Sequence, residues 1–266
     1  EVEVTRIVTE TVVETVEVEP DEEPAGSKDM IICMAQEPEN LYPYGSSMLA
    51  SSAVQHAIFE NDITTLSYGY QAAGIEKIPS LEDGDAVLNV VEVQPGDTVR
   101  DAADTVVVWG EDVTVVNADG EEVTFDGSSV MMEQLVVDFT MKPRVWSDGT
   151  PVTAEDSVYG FEMNADPDTP WTKYVIERTV SYEATGDLAI RWTGLPGFRD
   201  ATYFTNFWQP LPQHIWSSFS AAELLEAEES SRLPVGDGPF AIDEWIAGDS
   251  IRLSRNEFYY IAYEVL

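Results

Sequence analysis

The sequence predicts an α/β fold, and three observations support this prediction. Residues 136–143 alternate in polarity with the two-residue period of a half-buried strand, and a capped helix follows at residues 153–165. A second helix is predicted at residues 46–61, where apolar side chains recur at i,i+4 spacing. Residues 84–134 are rich in valine and in turn signals, which is typical of several short strands.

The first segment, residues 1–28, is of low complexity and repeats valine, threonine and glutamate. Its β-branched residues disfavour a helix, and its like charges favour an extended chain. We interpret it as an acidic spacer. The alternative is a strand that pairs with a neighbour.

Residues 30–36 are predicted to form a buried strand because they are almost entirely apolar. Cys33 lies in this run and is therefore expected to be a small buried hydrophobic residue. It is the only cysteine, so an internal disulfide is excluded.

The helix at residues 46–61 is predicted to start at Ser46 or Ser47, which can both act as N-cap residues. Two adjacent rows are expected on its buried face. They are Leu49, Ala53 and Ala57, and Ala50, Val54 and Ile58. Residues 63–70 are predicted to form a short strand.

The β-rich region at residues 84–134 contains two clear turn signals. They are Pro95-Gly96 and the segment Asn117 to Gly120, which predicts a hairpin before residues 122–125.

The stretch from Asp138 to Asp166 combines a strand, a turn and a helix. Gly149 can adopt a positive φ after Ser147 and Asp148. Thr153 is predicted to be the N-cap of the helix, and Asp156 is placed to accept the backbone N–H of Thr153, as in a capping box. The helix is expected to end at residues 164–167, where Pro167 interrupts it.

Two hairpins and one more helix are predicted after this stretch. Residues 179–184 and 189–193 flank one turn, and residues 240–245 and 251–255 flank Ala247-Gly248-Asp249. Residues 221–228 are expected to form a short helix.

The formal net charge is −37, from 50 acidic and 13 basic residues. This charge argues against nucleic-acid binding, which needs a basic surface, and against electrostatic docking on anionic lipid. Two interpretations remain open. The carboxylates form a solvated acidic surface, or they line an acidic cleft that selects cationic ligands.

No catalytic, metal or cofactor site is predicted. His56 and His214 lack ligand spacing around them. Asn164, Asp166 and Asp168 resemble the start of a calcium loop, but Thr169 stands where glycine is needed. With 50 carboxylates, pairs of acidic residues are expected by chance.

Aromatic residues cluster at residues 203–209. Tyr203, Phe204, Phe207 and Trp208 surround the polar Asn206, a mixture that suits a ligand cleft. Ordinary core packing is the alternative explanation for the same cluster.

Three segments resemble the family 5 extracellular solute-binding proteins, the peptide- and nickel-binding receptors of ABC importers. The segments are residues 37–43 (EPENLYP), 147–156 (SDGTPVTAED) and 234–240 (PVGDGPF), and Trp245, Asn256 and Tyr259 extend the third. Residues 211–215 are also similar to the family pattern, with Gln213 in place of lysine. The resemblance covers residues 29–260.

The resemblance implies a fold like that of the class II periplasmic binding proteins, with only the first lobe present and the second lobe missing. It implies four regions: the spacer at 1–28, the first lobe at 29–70, a β-rich inserted subdomain at 71–200 that includes SDGTPVTAED, and a return to the first lobe at 201–266. It also implies a ligand cleft, for which the candidate residues are Gln36, Glu37, Pro38, Tyr203, Asn206, Trp208 and Phe240.

The function implied is capture of an extracellular oligopeptide or similar small solute by closure of two lobes, with ABC importer permease subunits as partners. The expected location is extracytoplasmic, with membrane association only through a lipid anchor outside this chain. No enzyme activity is implied. Two alternatives remain: a secreted carbohydrate-active hydrolase, which turnover of glycans would reveal, and a cell-surface interaction module, which would bind a protein but no small ligand.

Overall fold

The computed structural model describes residues 29–259, so the predicted spacer at 1–28 and the tail at 261–266 lie outside the described residues. The described residues fall into two units, a main unit of residues 35–259 and a separate one of residues 29–34. The fold is α/β, as predicted from the sequence.

The elements follow one another in this order: α1 (Leu49–Ile58), β1 (Ile63–Thr64), β2 (Gln71–Ala72), β3 (Ala86–Val93), β4 (Thr98–Arg100), β5 (Val106–Val108), β6 (Thr114–Val116), β7 (Glu122–Thr124), β8 (Val130–Thr140), α2 (Ala154–Ala165), β9 (Thr179–Gly186), β10 (Ala189–Gly194), α3 (Gln213–Trp216), α4 (Ala221–Leu224), α5 (Glu228–Ser231), β11 (Phe240–Ile246) and β12 (Ser250–Arg255).

A four-stranded antiparallel sheet in the order β3-β8-β10-β9 forms the centre of the main unit. On β8, Leu135, Val137 and Phe139 face the main hydrophobic core, whereas Val130 and Met132 belong to a second, smaller core. Because side chains alternate along a strand, these two sets point to opposite faces of the sheet. The central strand therefore contributes to both cores.

The second core is built by the two hairpins β4-β5 and β6-β7, with Trp109 packed edge-on against Phe125 at 5.0 Å between ring centroids. Arg178 connects the β4-β5 hairpin to the rest of the main unit through hydrogen bonds. Its guanidinium donates to the carbonyl of Asp104 at 3.1 Å and to that of Tyr174 at 3.0 Å. The all-β character predicted for residues 84–134 is confirmed, including the turn at residues 117–120, where Gly120 has a φ of +83°.

Helix α2 begins as predicted. The Asp156 carboxylate accepts the Thr153 N–H at 2.8 Å and its hydroxyl at 3.0 Å, and Thr153 is the N-cap of a capping box. The helix ends at Ala165, where the ammonium group of Lys173 donates to the carbonyls of Asp166 and Thr169 at 2.8 and 3.1 Å. Both hairpins predicted in the second half of the chain are also present, as β9-β10 and β11-β12.

The predicted buried strand at residues 30–36 is wrong. Residues 29–34 form no strand, and Ile31 is 91% exposed. Cys33 is exposed rather than buried. An apolar run becomes a buried strand only where a neighbouring strand supplies hydrogen bonds, and no described strand pairs with this segment.

Three further predictions need correction. Helix α1 starts at Leu49 and not at the predicted Ser46 or Ser47, since Ser46 Oγ accepts the N–H of Met48 in the turn before the helix. The predicted row that begins with Leu49 is not buried, because Leu49 is 86% exposed. Residues 63–70 are not one strand but half of a hairpin, since the chain turns at Tyr68 with a φ of +67°. The helix predicted at residues 221–228 is divided into α4 and α5.

Candidate functional site

The motif segments 147–156 and 234–240, far apart in sequence, meet beside the end of α1. Ser147 donates its N–H to the carbonyl of Gly236 at 2.8 Å, and Gly238 donates its N–H to the carbonyl of Ile58 at 2.9 Å. Ile58 is the last residue of α1. The two motifs therefore hold the helix end through backbone contacts.

Glycine is required in PVGDGPF because backbone packs against backbone there. A Cβ atom at Gly236 would overlap the carbonyl oxygen of Ile58, and one at Gly238 would lie 2.7 Å from both Ile58 C and Phe59 N. Any side chain would separate the two segments. The glycines thus set the position of the residues that follow α1.

Three buried charged residues also hold the segment that follows α1. The Arg144 guanidinium lies 2.7 Å from Asp62 Oδ1 and 2.7 Å from Asp237 Oδ2, and it donates to the carbonyl of Gly74 at 3.0 Å. Asp237 also accepts the N–H of Glu60 at 3.0 Å through its other oxygen. Residues 60–62 are therefore held at both ends by this cluster.

Burial is the main cause that raises the pKa of Asp62, to about 6. The neighbouring Arg144 lowers the pKa and Asp237 raises it. Because two carboxylates share one guanidinium, the cluster has a surplus negative charge when all three groups are ionised.

A depression of about 270 Å³ opens beside this cluster. Its walls combine aromatic and polar side chains from three parts of the chain: Glu60, Asn61, Asp62, Tyr70, Phe207 and Gln209. Tyr70 is 50% exposed and packs edge-on against Phe204 at 4.9 Å. Phe207 lies 5.4 Å from the core residue Phe139. Most of the lining residues are polar, and the aromatic rings of Tyr70 and Phe207 add apolar surface, so the depression can contact both polar and apolar parts of a ligand.

The candidate residues of the first segment lie elsewhere in the fold. Glu37 accepts the indole N–H of Trp245 at 2.6 Å and the N–H of Gly248 at 3.1 Å, and these hydrogen bonds lower its pKa. Gln36 contacts the sulfur of Met48 at 3.9 Å, and Pro38 is buried. Glu37 thus binds the turn between β11 and β12.

Tyr203, Asn206 and Trp208, the candidates of the aromatic segment, do not line the depression. Tyr203 Oη accepts the N–H of Leu81 at 3.1 Å, and the buried Asn206 donates to Asp200 at 3.0 Å. The Trp208 ring packs 4.8 Å from both Phe161 and Tyr182, so core packing explains its position. Phe240, at the start of β11, is 41% exposed and does not line the depression.

Sequence reasoning missed Glu60, Asn61, Asp62 and Tyr70 as wall residues. A signal was available, since Glu60-Asn61-Asp62 is a polar run at the end of the predicted α1, where chain ends and loops supply binding groups. Within residues 29–259, no cluster of three or more His, Cys, Asp or Glu side chains is arranged to hold a metal ion. In the same range, no helix combines the length and hydropathy that a membrane span requires.

Comparison with curated proteins identifies oligopeptide receptors as relatives. The oligopeptide-binding protein AppA of Bacillus subtilis is 29% identical over 131 residues, which cover 47% of this chain and 24% of AppA. The periplasmic oligopeptide-binding protein OppA of Escherichia coli is 27% identical over 134 residues, covering 45% and 25%. A probable deoxycholate-binding periplasmic protein, YgiS of E. coli, is 27% identical over 129 residues, covering 43% and 24%. The chain thus spans about a quarter of the length of these relatives.

Solved structures share the fold. AppA of B. subtilis in complex with a nonapeptide matches with a TM-score of 0.58 at 21% identity, over 85% of this chain and 36% of that one. The oligopeptide-binding protein of Thermus thermophilus with a pentapeptide matches with a TM-score of 0.56 at 17% identity, over 82% and 35%.

The family model described as bacterial extracellular solute-binding proteins, family 5 Middle, matches residues 127–264. This range is just over half of the chain and contains two of the three motif segments, SDGTPVTAED and PVGDGPF. The chain belongs to the bacterial extracellular solute-binding proteins of family 5.

Proposed function

We propose that this protein is the substrate-binding component of a peptide-type ABC importer, and that this chain carries the first part of the receptor. It captures an extracellular oligopeptide or a similar small solute, which two lobes then enclose. Ligand contacts with both lobes shift an equilibrium between open and closed forms. The membership in family 5 is the observation that carries this proposal.

The geometry supports a wall for a ligand rather than a reaction centre. The depression at Glu60, Asp62, Tyr70 and Phe207 offers aromatic surfaces and hydrogen-bonding groups on a rigid support. The buried Arg144 cluster and the glycine contacts of residues 236–238 supply that support. Rigid walls reduce the entropy lost when a ligand binds.

The domain arrangement stays part of the proposal. Residues 29–70 and 201–266 would belong to the first lobe and residues 71–200 to the inserted β-rich subdomain, with residues 1–28 as a spacer. We propose an extracytoplasmic location, periplasmic or at the cell surface, with membrane attachment through a lipid anchor and delivery of the solute to permease subunits.

A titration of the ¹⁵N-labelled chain with a mixed library of di- to pentapeptides tests the proposal. We expect the side-chain amides of Asn61 and Gln209 to shift, with dissociation constants in the millimolar range, about −4 kcal/mol, because one wall contacts only one side of a ligand. A shift confined to other surfaces, or turnover of a glycan panel, would contradict it. Micromolar affinity would show that this chain alone completes the site.

A further inference from the structure

We infer that the hairpins β4-β5 and β6-β7 are two copies of one 16-residue unit, and that whole units can be removed or added without changing the depression beside residues 60–62. The first copy is residues 97–109 and the second is residues 113–125, so equivalent positions differ by 16 in number. Both copies lie before residue 127, where the match to the family model begins, and the second copy contributes no residue to the depression, nor does the first. The inference does not depend on which solute the protein binds.

The two copies are similar in sequence. They read DTVRDAADTVVVW and VTVVNADGEEVTF. Identical residues occupy these equivalent positions: Thr98 and Thr114, Val99 and Val115, Ala102 and Ala118, and Val107 and Val123. The equivalent aromatic residues Trp109 and Phe125 pack against each other in the second core. Valine and threonine are common throughout this region, so the structure has to decide whether the similarity is meaningful.

The same kind of side chain organises the turn of each hairpin. In the first copy, Asp101 Oδ1 accepts the N–H groups of Ala103 at 2.9 Å and Thr105 at 2.7 Å. In the second copy, Asn117 Oδ1 accepts the equivalent N–H groups at 3.0 and 2.8 Å. The backbone N–H groups of Asp101 and Asn117 also donate to equivalent carbonyls, both at 2.9 Å. Hairpins that merely share a length do not need the same set of bonds, so this agreement supports a common unit.

Left-handed backbone conformations recur at equivalent positions. Within the copies, Asp104 has a φ of +66° and its equivalent Gly120 a φ of +83°. In the turn before each copy, Gly96 has a φ of +99° and its equivalent Asp112 a φ of +64°. A positive φ is uncommon for residues other than glycine. Each of these aspartates occurs where the other copy has glycine, so the unit requires this conformation rather than a particular residue.

Each copy donates a hydrogen bond to the strand that follows it. The N–H of Ala102 donates to the carbonyl of Thr114 at 2.9 Å, and the N–H of its equivalent Ala118 donates to the carbonyl of Met131 at 2.8 Å. Thr114 begins β6 in the second copy, and Met131 lies on β8. Contacts of one unit with the next are what stabilise an array of repeats.

A pair in the central sheet closes the point at which both copies are inserted. Val93, the last residue of β3, lies opposite Val130, the first residue of β8. A whole unit can therefore be removed without separating these two strands. Removal of 15 residues instead of 16 would shift the strand by one position, and such a shift moves every side chain to the opposite face.

Two deletions test the inference. Deletion of residues 110–125 removes one whole unit and joins Trp109 to Asp126, whereas deletion of residues 110–124 removes one residue fewer and is the matched control. Both remove Thr114, the acceptor of the Ala102 N–H, so hydrogen exchange of this amide is the measurement. In the whole-unit deletion, Ala102 should donate to Met131 as Ala118 does, and its exchange rate should stay within about tenfold of the wild-type rate. In the control the rate should rise at least about a hundredfold.

Two insertions provide a second, independent test. A repeated copy of residues 110–125 placed after Phe125 should leave the exchange of Ala118 slow, because Ala118 then donates to the inserted copy, whereas a repeated copy of residues 111–125 should not. The side-chain amide signals of Asn61 and Gln209, which line the depression, should stay unchanged in both whole-unit variants. Slow exchange in at least one whole-unit variant, with fast exchange in its control, would support the inference. Fast exchange in both whole-unit variants, controls that behave like them, or shifted signals of Asn61 and Gln209 would overturn it.

Discussion

Arg144 Nε lies 2.7 Å from Oδ2 of Asp237, and both side chains are 1% exposed. Charges buried this deeply are stable only when they are paired and hydrogen-bonded, because each has lost its hydration. The same guanidinium pairs with Asp62, so one side chain joins the segment after β8, the PVGDGPF segment and the loop after α1. This cluster is therefore the support on which the candidate site depends.

The cluster predicts how stability responds to pH. Burial raises the pKa of Asp62 to about 6 in the folded chain, above the value of 3.8 for a solvated aspartate. The folded chain therefore binds a proton that the unfolded chain lacks between about pH 4 and pH 6. This contribution to stability is fully present below about pH 4 and is lost as the pH rises through about 6. The charged groups that act on Asp62 are Arg144, Asp237 and Glu60.

Urea unfolding of the wild type and of Asp62→Asn at several pH values measures this contribution. We expect the wild type to gain stability relative to the variant as the pH falls from 7 to about 4.5. The difference between the two proteins is the relevant quantity, because acidification affects the other carboxylates of both. A constant difference, or one that changes in the opposite direction, would show that Asp62 is not protonated on folding.

Glycine contacts give a second prediction. Gly236→Ala should destabilise the fold by roughly 1–3 kcal/mol or more, because the new methyl group overlaps the Ile58 carbonyl. Gly69→Ala is the matched control, since no atom lies within 4 Å of its Cβ position and its φ is not in the left-handed region. Denaturation midpoints of both variants provide the measurement. If both substitutions had the same small effect on stability, the backbone at residue 236 could move away from Ile58 without destabilising the fold.

The sequence predicts caps and turns correctly, because their physical causes lie within a few neighbouring residues. Thr153 and Asp156 are three residues apart, and the turn at residues 247–249 needs only Gly248 with its φ of +73°. The buried face of α1 depends instead on what packs against it, and Leu49 is exposed although its spacing fits the buried row. Hydrophobic periodicity predicts which face of a helix is apolar, but it does not predict which element packs against that face.

The candidate site was harder to predict for the same reason. The pairing of Arg144 with Asp62 and Asp237 joins residues far apart in sequence, and in a chain with 50 acidic residues no spacing marks the two carboxylates that matter. Two of the segments that carry the family resemblance, 147–156 and 234–240, meet in space, but the resemblance alone did not predict that contact. It did not indicate that residues 60–62 and Tyr70 form the walls of a depression.

The capping box at the start of α2 gives a third prediction. Thr153→Ala should cost about 1 kcal/mol through loss of the N-cap hydroxyl. Asp156→Ala should cost more, because its buried carboxylate accepts the Thr153 N–H and hydroxyl and also the N–H of Gln213 at 3.2 Å. Glu155→Ala, at an exposed position in the same turn, serves as the control. Equal destabilisation by all three substitutions, measured by urea unfolding, would argue against a specific cap.

Salt dependence gives the last prediction, which follows from the net charge of −37. Repulsion among the carboxylates opposes the compact state, and screening weakens this repulsion as the Debye length falls from about 10 Å at 0.1 M to about 3 Å at 1 M. The melting temperature should therefore rise with NaCl, most steeply at low concentration. A general salting-out effect would instead grow steadily at high concentration.

Replacing the exposed Glu121 and Glu122 by lysine makes the net charge less negative by four, so the increase of the melting temperature at low salt should be smaller in this variant. A wild-type curve that is flat at low salt, or a variant with an unchanged slope, would mean that the repulsion is already compensated.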